Sequence, residues 1–514
     1  MLASFVYFLM FHGYCVAFKT VFTSNSYRVT RPGFLNSEHV SSTFLLAGKV
    51  IEDRPKKVCI LGGGFAGVNV ALTLASLARD SRSPQGFDKP FGAQKLNTNS
   101  IPAPELQVTL IDRKDRFVFL PLLYELCVND ATEDEVAPTF TSLFQDVSDV
   151  VSHKQGTVAG IDIKLKCVYY EAQDKDTGDI KMQREDYDAL VICTGMQANL
   201  DTVPGAKENA VAFYTLEDCY KLQRQLERVL INAKHESSKG INVVVVGGGY
   251  SGVELALNVK AYLDQETRET ACQVHVTLVQ KSQDILPYSS EFNKNSSKER
   301  LQRANIKIMT GTSVKEVLTS SGQVSTNGIR SCLVVVDMGS FNNTDVSSIP
   351  ADILLWTAGA SPSKEGVLKS RLPRDARGRI KTSKTLQVKG VPSVFALGDC
   401  SKIDQGEGIP ATAQVAMQQA PIVAWNVYSS LFNQQKPPSQ REPLLSFRYL
   451  DLGEMMTLGS EDATINALGG LVQISGPSAS ILRRGLYSLR MPTNQQRVNA
   501  FRDYSVQKLT STGK

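Results

Sequence analysis

The sequence has nine cysteines (15, 59, 127, 167, 193, 219, 272, 332 and 400) but no CxxC or other close pair. A zinc ribbon, a secreted disulfide framework and a thioredoxin-type redox pair therefore all lack support. Five histidines, at 12, 39, 153, 235 and 275, are too scattered for a metal site, and no metal is expected. The longest apolar run lies at the N-terminus and is broken by His12 and Gly13, short of the roughly 20 residues that a spanning helix needs. Charge of one sign is also scarce: the net +5 is held largely by Lys19, Arg28, Arg31 and Lys49 against Glu38. That leaves no footprint for nucleic acid. The remainder, 42% hydrophobic and 21% charged over 514 residues, is the balance of a globular chain. Its length suggests roughly two to four domains.

Leu2 to Val16 form a short apolar run ending in small residues, with Cys15 and Ala17 placed for cleavage before Phe18. Residues 1–17 thus resemble a signal peptide. Residues 18–50 are rich in Ser and Thr, basic, and hold one acidic residue, a transit-peptide composition. The tandem resembles the bipartite leader of algae whose plastids lie inside extra membranes, with Phe18 in the key place. It implies a plastid (chloroplast) destination; a mitochondrial leader or a secretory peptide with a linker is the alternative.

Lys57–Leu61 reads as a buried strand, followed at once by Gly62-Gly-Gly-Phe65-Ala66-Gly67 and a helical pattern from Val68 to Leu77. In that context GxGxxG is a phosphate-binding turn. Gly62 allows the tight turn, Gly64 the approach of a pyrophosphate, and Gly67 close helix–strand packing. The matching ribose acceptor is Asp112, ending the strand Val108–Asp112, once a polar loop at 79–104 is taken as an insertion. The device recurs at Asn242–Val246, Gly247-Gly-Gly249-Tyr-Ser-Gly252 and a helix from Val253 to Leu263, with a second strand ending in Gln280 and Lys281. Two copies imply two dinucleotides on one chain. Each has a later echo, Asp188–Gly195 with Thr194 and Gly195, and Asp352–Gly359. With an amide and a cation where an NADH-selective site would carry a carboxylate, NADPH is expected to be accepted; Gln280 serving NADH and NADPH equally is the alternative.

Val394–Asp399 is a further strand ending in Gly398-Asp399. The whole resembles the two-dinucleotide flavoprotein superfold of the disulfide reductases, in which such an Asp meets the flavin ribityl chain. No cysteine pair is spaced for thiol chemistry. Instead Ala413-Gln414-Val-Ala-Met-Gln418 resembles the AQxAxQ signature of type II NAD(P)H:quinone oxidoreductases, with Gln414 and Gln418 on one helix face able to direct two amides to a quinone carbonyl. Arg116–Glu125, Glu135–Pro138 and Leu452–Gly459 extend the match to the chloroplast C-type branch of plants and algae, from about Lys57 to Pro492.

The resemblance implies an α/β fold with two Rossmann-like domains, for FAD and for NAD(P)H. Its expected divisions are an FAD part at 55–204, a nucleotide domain at 205–360, a second FAD part with the quinone-site helix at 361–445, and a C-terminal membrane-associating segment at 446–514. It further implies hydride transfer from NADPH or NADH to FAD, then two electrons to a plastoquinone- or naphthoquinone-like membrane quinone without proton pumping. Glu254 matches a family carboxylate near the nicotinamide; favourable charge at a helix N-terminus is the plainer reading. Asp174–Asp179 superficially suggests a calcium loop but reads as a hairpin turn. In 481–514, Arg483, Arg484, Arg490, Arg497, Arg502, Lys508 and Lys514 oppose Asp503 alone, and Ile481, Leu482, Leu486 and Leu489 form a stripe. That stripe could meet a membrane surface, the protein body or a homodimer partner. The rival functions are a sulfide:quinone reductase, which needs a cysteine pair at the flavin, and a non-catalytic FAD-binding signalling protein.

Overall fold

The computed structural model describes residues 54–81, 105–174, 176–235, 240–319, 331–338, 346–362, 370–404, 408–434, 437, 439, 441–459 and 461–511. The leader signals at 1–17 and 18–50, and the expected insertion beyond Ser81, lie outside these residues.

Eight strands matter most to the site: β1 (Lys56–Leu61), β2 (Leu106–Asp112), β3 (Ala189–Ile192), β4 (Ile241–Val246), β5 (Val274–Val279), β6 (Ile353–Trp356), β7 (Val391–Ala396) and β8 (Glu454–Thr457). The helices are α1 (Phe65–Ser81), α2 (Tyr250–Glu266), α3 (Ala413–Asn433) and α4 (Pro477–Leu489). An eight-stranded sheet centres on β7-β3-β1-β2, all parallel, with Val58 opposite Val108 on one side and Ala189 on the other. A second, five-stranded sheet repeats this arrangement, with Val243 of β4 opposite Val276 of β5 and Ile353 of β6.

The strands are apolar throughout because both faces are covered. Val58 and Ile60 face the helix layer that includes α1 and α3, whereas Cys59 and Leu61 pack against Val168 and Tyr170 of a three-stranded antiparallel sheet. The second sheet has the same construction: Val243 and Val245 face helices, while Val244 and Val246 meet Val317 and Val334 of another antiparallel three-stranded sheet. Both halves are thus three-layered, and the duplication read in the glycine motifs extends to the whole packing scheme. Asp174–Asp179 joins Cys167–Gln173 to Ile180–Asp186 as a hairpin turn, with Gly178 at φ 75°.

The C-terminal region is a compact unit rather than a simple amphipathic segment. β8, Ala463–Ala467 and Val472–Gly476 form an antiparallel sheet, followed by α4 and a helix over Asn494–Ser511. The expected stripe divides: Leu486 is buried and Leu482 packs near Ile465, whereas Ile481 and Leu489 remain exposed. Arg483 and Arg484, read from sequence as part of a basic surface, are each only 2% exposed. Among the described residues, no helix is long and apolar enough to cross a membrane.

Candidate active site

The parallel topology brings Gly62, Asp112, Thr194 and Gly398 to the carboxyl ends of β1, β2, β3 and β7. Gly247, Gln280 and Gly359 stand at the corresponding ends of β4, β5 and β6. Gly62 and Gly247 adopt φ values of 102° and 110°, and a Cβ on either would come 2.6 Å from Cys193 O or Thr357 Oγ1. At Gly67 and Gly252 the added carbon would meet the Gly62 and Gly247 carbonyl oxygens at 1.9 and 1.7 Å. The chain's own packing therefore requires the first and third glycine of each motif. Gly64 and Gly249 differ, because a Cβ there would have no protein atom within 4 Å. Open space over a glycine, beside the N-terminus of α1 or α2, fits a dinucleotide pyrophosphate in both places. Gly195 and Gly359, at φ 63° and 68°, also face open space.

The residues between the glycines join the first turn to the core. Phe65 packs edge-on against Phe117 and Phe119, with centroids 5.1 and 5.2 Å apart, and Ala66 is buried. Asp112 Oδ2 accepts from Gly63 N–H at 2.6 Å, and Gln280 Oε1 accepts from Gly248 N–H at 2.8 Å. Both therefore fix their glycine turns from the carboxyl ends of their strands. Sequence reading missed a second matched pair. Cys193 Sγ donates to the carbonyls of Leu61 and Gly62, both at 3.2 Å, and Thr357 Oγ1 donates to those of Val246 and Gly247 at 3.0 and 3.1 Å. Burial pushes the Cys193 thiol well above its ordinary range and Cys400 to about 11. Neither is primed as a thiolate nucleophile.

Asp399 is half-buried, accepts no hydrogen bond among the described residues, and has its carboxyl pKa raised by burial. An acceptor held in that condition suits the hydroxyls of a ribityl chain. Its neighbour Gly398 donates its N–H to Gln419 Oε1 at 2.7 Å. Gln419 is 3% exposed and was not singled out from sequence, although its place beside Gln418 was a usable signal. Thr412 caps α3 by accepting from Val415 N–H.

Gln414 and Gln418 do share a face of α3, but their amides are not free. Gln418 bonds both the N–H and the C=O of Leu450, at 3.1 and 2.8 Å. Gln414 donates to Gly453 O at 3.2 Å and accepts from the Tyr449 hydroxyl at 2.8 Å. The pair therefore binds the 449–453 segment along α3.

Glu254 is buried in α2, where its Oε1 accepts from Thr457 N–H of β8 at 3.0 Å. Burial is the main cause that lifts its carboxyl to about 7; the Thr457 bond, the charge of Arg483 and a hydrogen bond with Tyr124 oppose the rise, while Glu125 adds to it. β8 also carries Glu454, which accepts from the Tyr250 hydroxyl, from Ser290 N–H at 2.8 Å and from Asn293 Nδ2 at 3.1 Å. One strand of the C-terminal unit thus holds both the tyrosine of the second glycine motif and the carboxylate that follows it. No motif points to separate roles for Glu454 and Thr457.

Residues 56–420 match the family model described as pyridine nucleotide-disulphide oxidoreductase. Demethylphylloquinone reductase NdbB of Synechocystis is 33% identical over 448 residues, covering 87% of this chain and 95% of that protein. Alternative NAD(P)H-ubiquinone oxidoreductase C1, chloroplastic/mitochondrial, of Arabidopsis thaliana is also 33% identical, covering 87% of this chain and 80% of the relative. The solved structure of NDH2 from Plasmodium falciparum in complex with NADH superposes with a TM-score of 0.68 at 17% identity, over 88% of this chain and 98% of that one.

Proposed function

We infer that this chain, which belongs to the pyridine nucleotide-disulphide oxidoreductase family and within it to the type II NAD(P)H:quinone oxidoreductases, is an FAD-dependent enzyme reducing a quinone with NAD(P)H. The observation that carries this reading is the pair of glycine turns with open space at Gly64 and Gly249, joined to the Gln-bearing helix α3. When bound, FAD would supply a hydride acceptor and a two-electron donor to the quinone. The overall reaction takes NAD(P)H, one proton and quinone to NAD(P)+ and quinol.

The chain's own residues orient the partners. Gly62, Gly64, Phe65, Ala66, Gly67, Asp112, Thr194, Gly195, Gly398 and Asp399 hold FAD, and Gly247, Gly249, Gly252, Gln280 and Gly359 hold the nucleotide. Gln414 and Gln418 shape the acceptor site through the 449–453 segment they bind. Glu254 lies at the seam between the nucleotide and flavin halves, where it positions the nicotinamide and exchanges a proton near neutral pH. The boundaries 55–204, 205–360, 361–445 and 446–514 are part of the same reading. Gln280 and the exposed Lys281 favour acceptance of NADPH.

The quinone is of the plastoquinone or naphthoquinone kind, a reading supported by the Synechocystis relative's name. A plastid membrane surface as the working site is supported by the cyanobacterial and plant relatives, with the leader at 1–50 as its address. Exposed Leu471, Ile481, Leu489, Val498 and Phe501 provide apolar side chains for contact with a bilayer. Flotation with vesicles supports that contact, whereas self-association with no flotation assigns the region to a dimer. NADPH or NADH oxidation by the flavin-loaded protein, with a naphthoquinone and a short-chain plastoquinone as acceptors, tests the activity. Turnover supports it; a flavin reduced by nucleotide but reoxidised by neither quinone contradicts it.

A further inference from the structure

Arg483 carries a charge into the interior, and its partners connect α4 to the surroundings of Glu254. From α4 its Nη1 donates to the Tyr124 hydroxyl at 2.9 Å and its Nη2 to Glu125 Oε1 at 2.5 Å. Its guanidinium carbon also lies 5.1 Å from the centroid of the Tyr487 ring. A guanidinium with directed donors fixes both partners in one orientation, which a flexible ammonium does less well. Tyr124 and Glu125 occupy the short helix Leu123–Cys127. The short helix packs against α2, and the Tyr124 hydroxyl faces Glu254, whose ionised form it favours.

The groups around Glu254 come from several elements. Arg483 and Tyr487 face it from α4, Tyr124 and Glu125 from the short helix, Thr457 N–H from β8, and Tyr250 from its own helix. Glu125 is also paired with Arg484 Nη1 at 2.7 Å, so Arg483 is not its sole counter-ion. Removing the Arg483 charge therefore leaves a tethered Glu125 near Glu254 and releases the Tyr124 hydroxyl from its fixed donor. Both changes disfavour the ionised form of Glu254.

We propose that Arg483 is a positioning residue for the NAD(P)H:quinone reaction, aiming the Tyr124 hydroxyl at Glu254 and offsetting Glu125, so that α4 governs the charge of the seam carboxylate. This role rests on the reading that Glu254 takes part in the reaction. It gives Arg483 a function beyond anchoring α4 and accounts for the inward turn of a side chain otherwise suited to an anionic surface.

Infrared difference titration of the flavin-loaded protein reads Glu254 directly, as the protonated-carboxyl band absent from Glu254→Gln. Arg483→Gln is expected to move its inflection upward by about one pH unit or more, the size of effect that an adjacent opposite charge produces. Arg483→Lys is expected to recover most of the shift, and Tyr124→Phe to move the inflection in the same direction by less. The pH profile of flavin reduction by NADPH should shift in parallel. A merely structural role lowers flavin content or Tm but leaves the Glu254 inflection in place, and that result overturns the proposal. If Arg483→Gln does not retain flavin, Tyr124→Phe decides it: a wild-type inflection in that variant overturns it. Normal flavin reduction in Glu254→Gln removes the reaction role from both residues, and the infrared shift distinguishes that outcome from failed electrostatic coupling.

Discussion

The Gly248 N–H donates to Gln280 Oε1 at 2.8 Å in the second glycine turn, the same place that Asp112 takes on Gly63 in the first. Gln280 is thus a neutral version of a structural cap. Gln280→Glu should keep the acceptor for Gly248 while placing a negative charge at the ribose position. The expected result is a shift of about tenfold or more in relative kcat/KM toward NADH, because a 2′-phosphate would meet that charge. An unchanged NADPH/NADH ratio would show that Gln280 does not govern selection.

Gly67→Ala and Gly252→Ala separate the two nucleotide cradles. Each new Cβ would meet a carbonyl oxygen inside 2 Å, at 1.9 and 1.7 Å respectively, so the turn must open. Gly67→Ala is expected to purify with little flavin. Gly252→Ala should retain its flavin absorbance but lose rapid reduction by NADPH. Loss of flavin from both, with equal loss of Tm, would contradict separate sites.

Glu254 has a folded-state pKa of about 7 against an ordinary 4.5. Because the folded form binds the proton more tightly, the favourable contribution is present below about pH 4.5 and is lost as pH rises through about 7. Glu254→Gln should accordingly be more stable than the parent at pH 8, by on the order of 3 kcal/mol, with the difference shrinking toward pH 4.5. Denaturant unfolding at several pH values measures this. A difference independent of pH would contradict the raised carboxyl.

Arg484 binds Glu125 Oε2 at 2.7 Å and Glu135 Oε2 at 2.9 Å, all away from solvent. Removing one member should strand a buried opposite charge. Arg484→Met or Glu135→Gln is expected to cost about 3–5 kcal/mol, while the double variant costs less than the sum. Additive losses in a double-mutant cycle would show that the pair is not coupled.

Much of this architecture was legible because the apolar strands and glycine turns are local patterns. GxGxxG after a Val/Ile-rich strand leaves few alternatives, and its repetition foreshadowed two matched sheets. The matched bonds of Cys193 and Thr357 were hidden because unlike residue types perform the same task. Arg483 and Arg484 were read as surface charge because their partners, Glu125 and Glu135, lie about 350 residues earlier, at separations of 358 and 349. Helical spacing placed Gln414 and Gln418 together on one face. It could not show that the 449–453 backbone occupies their amides, since that contact depends on the path of a later segment.

Electron passage from NAD(P)H to quinone past the Gln face of α3 can be followed step by step by double-mixing stopped-flow absorbance. The flavin-loaded protein is first reduced with NADPH and then mixed with a short-chain quinone, alongside Gln418→Ala. In the variant, reduction should be unchanged and reoxidation slowed about tenfold or more, corresponding to about 1.4 kcal/mol in the second barrier. Reoxidation equally fast in the variant, or slow and indifferent to quinone in the parent, would contradict it.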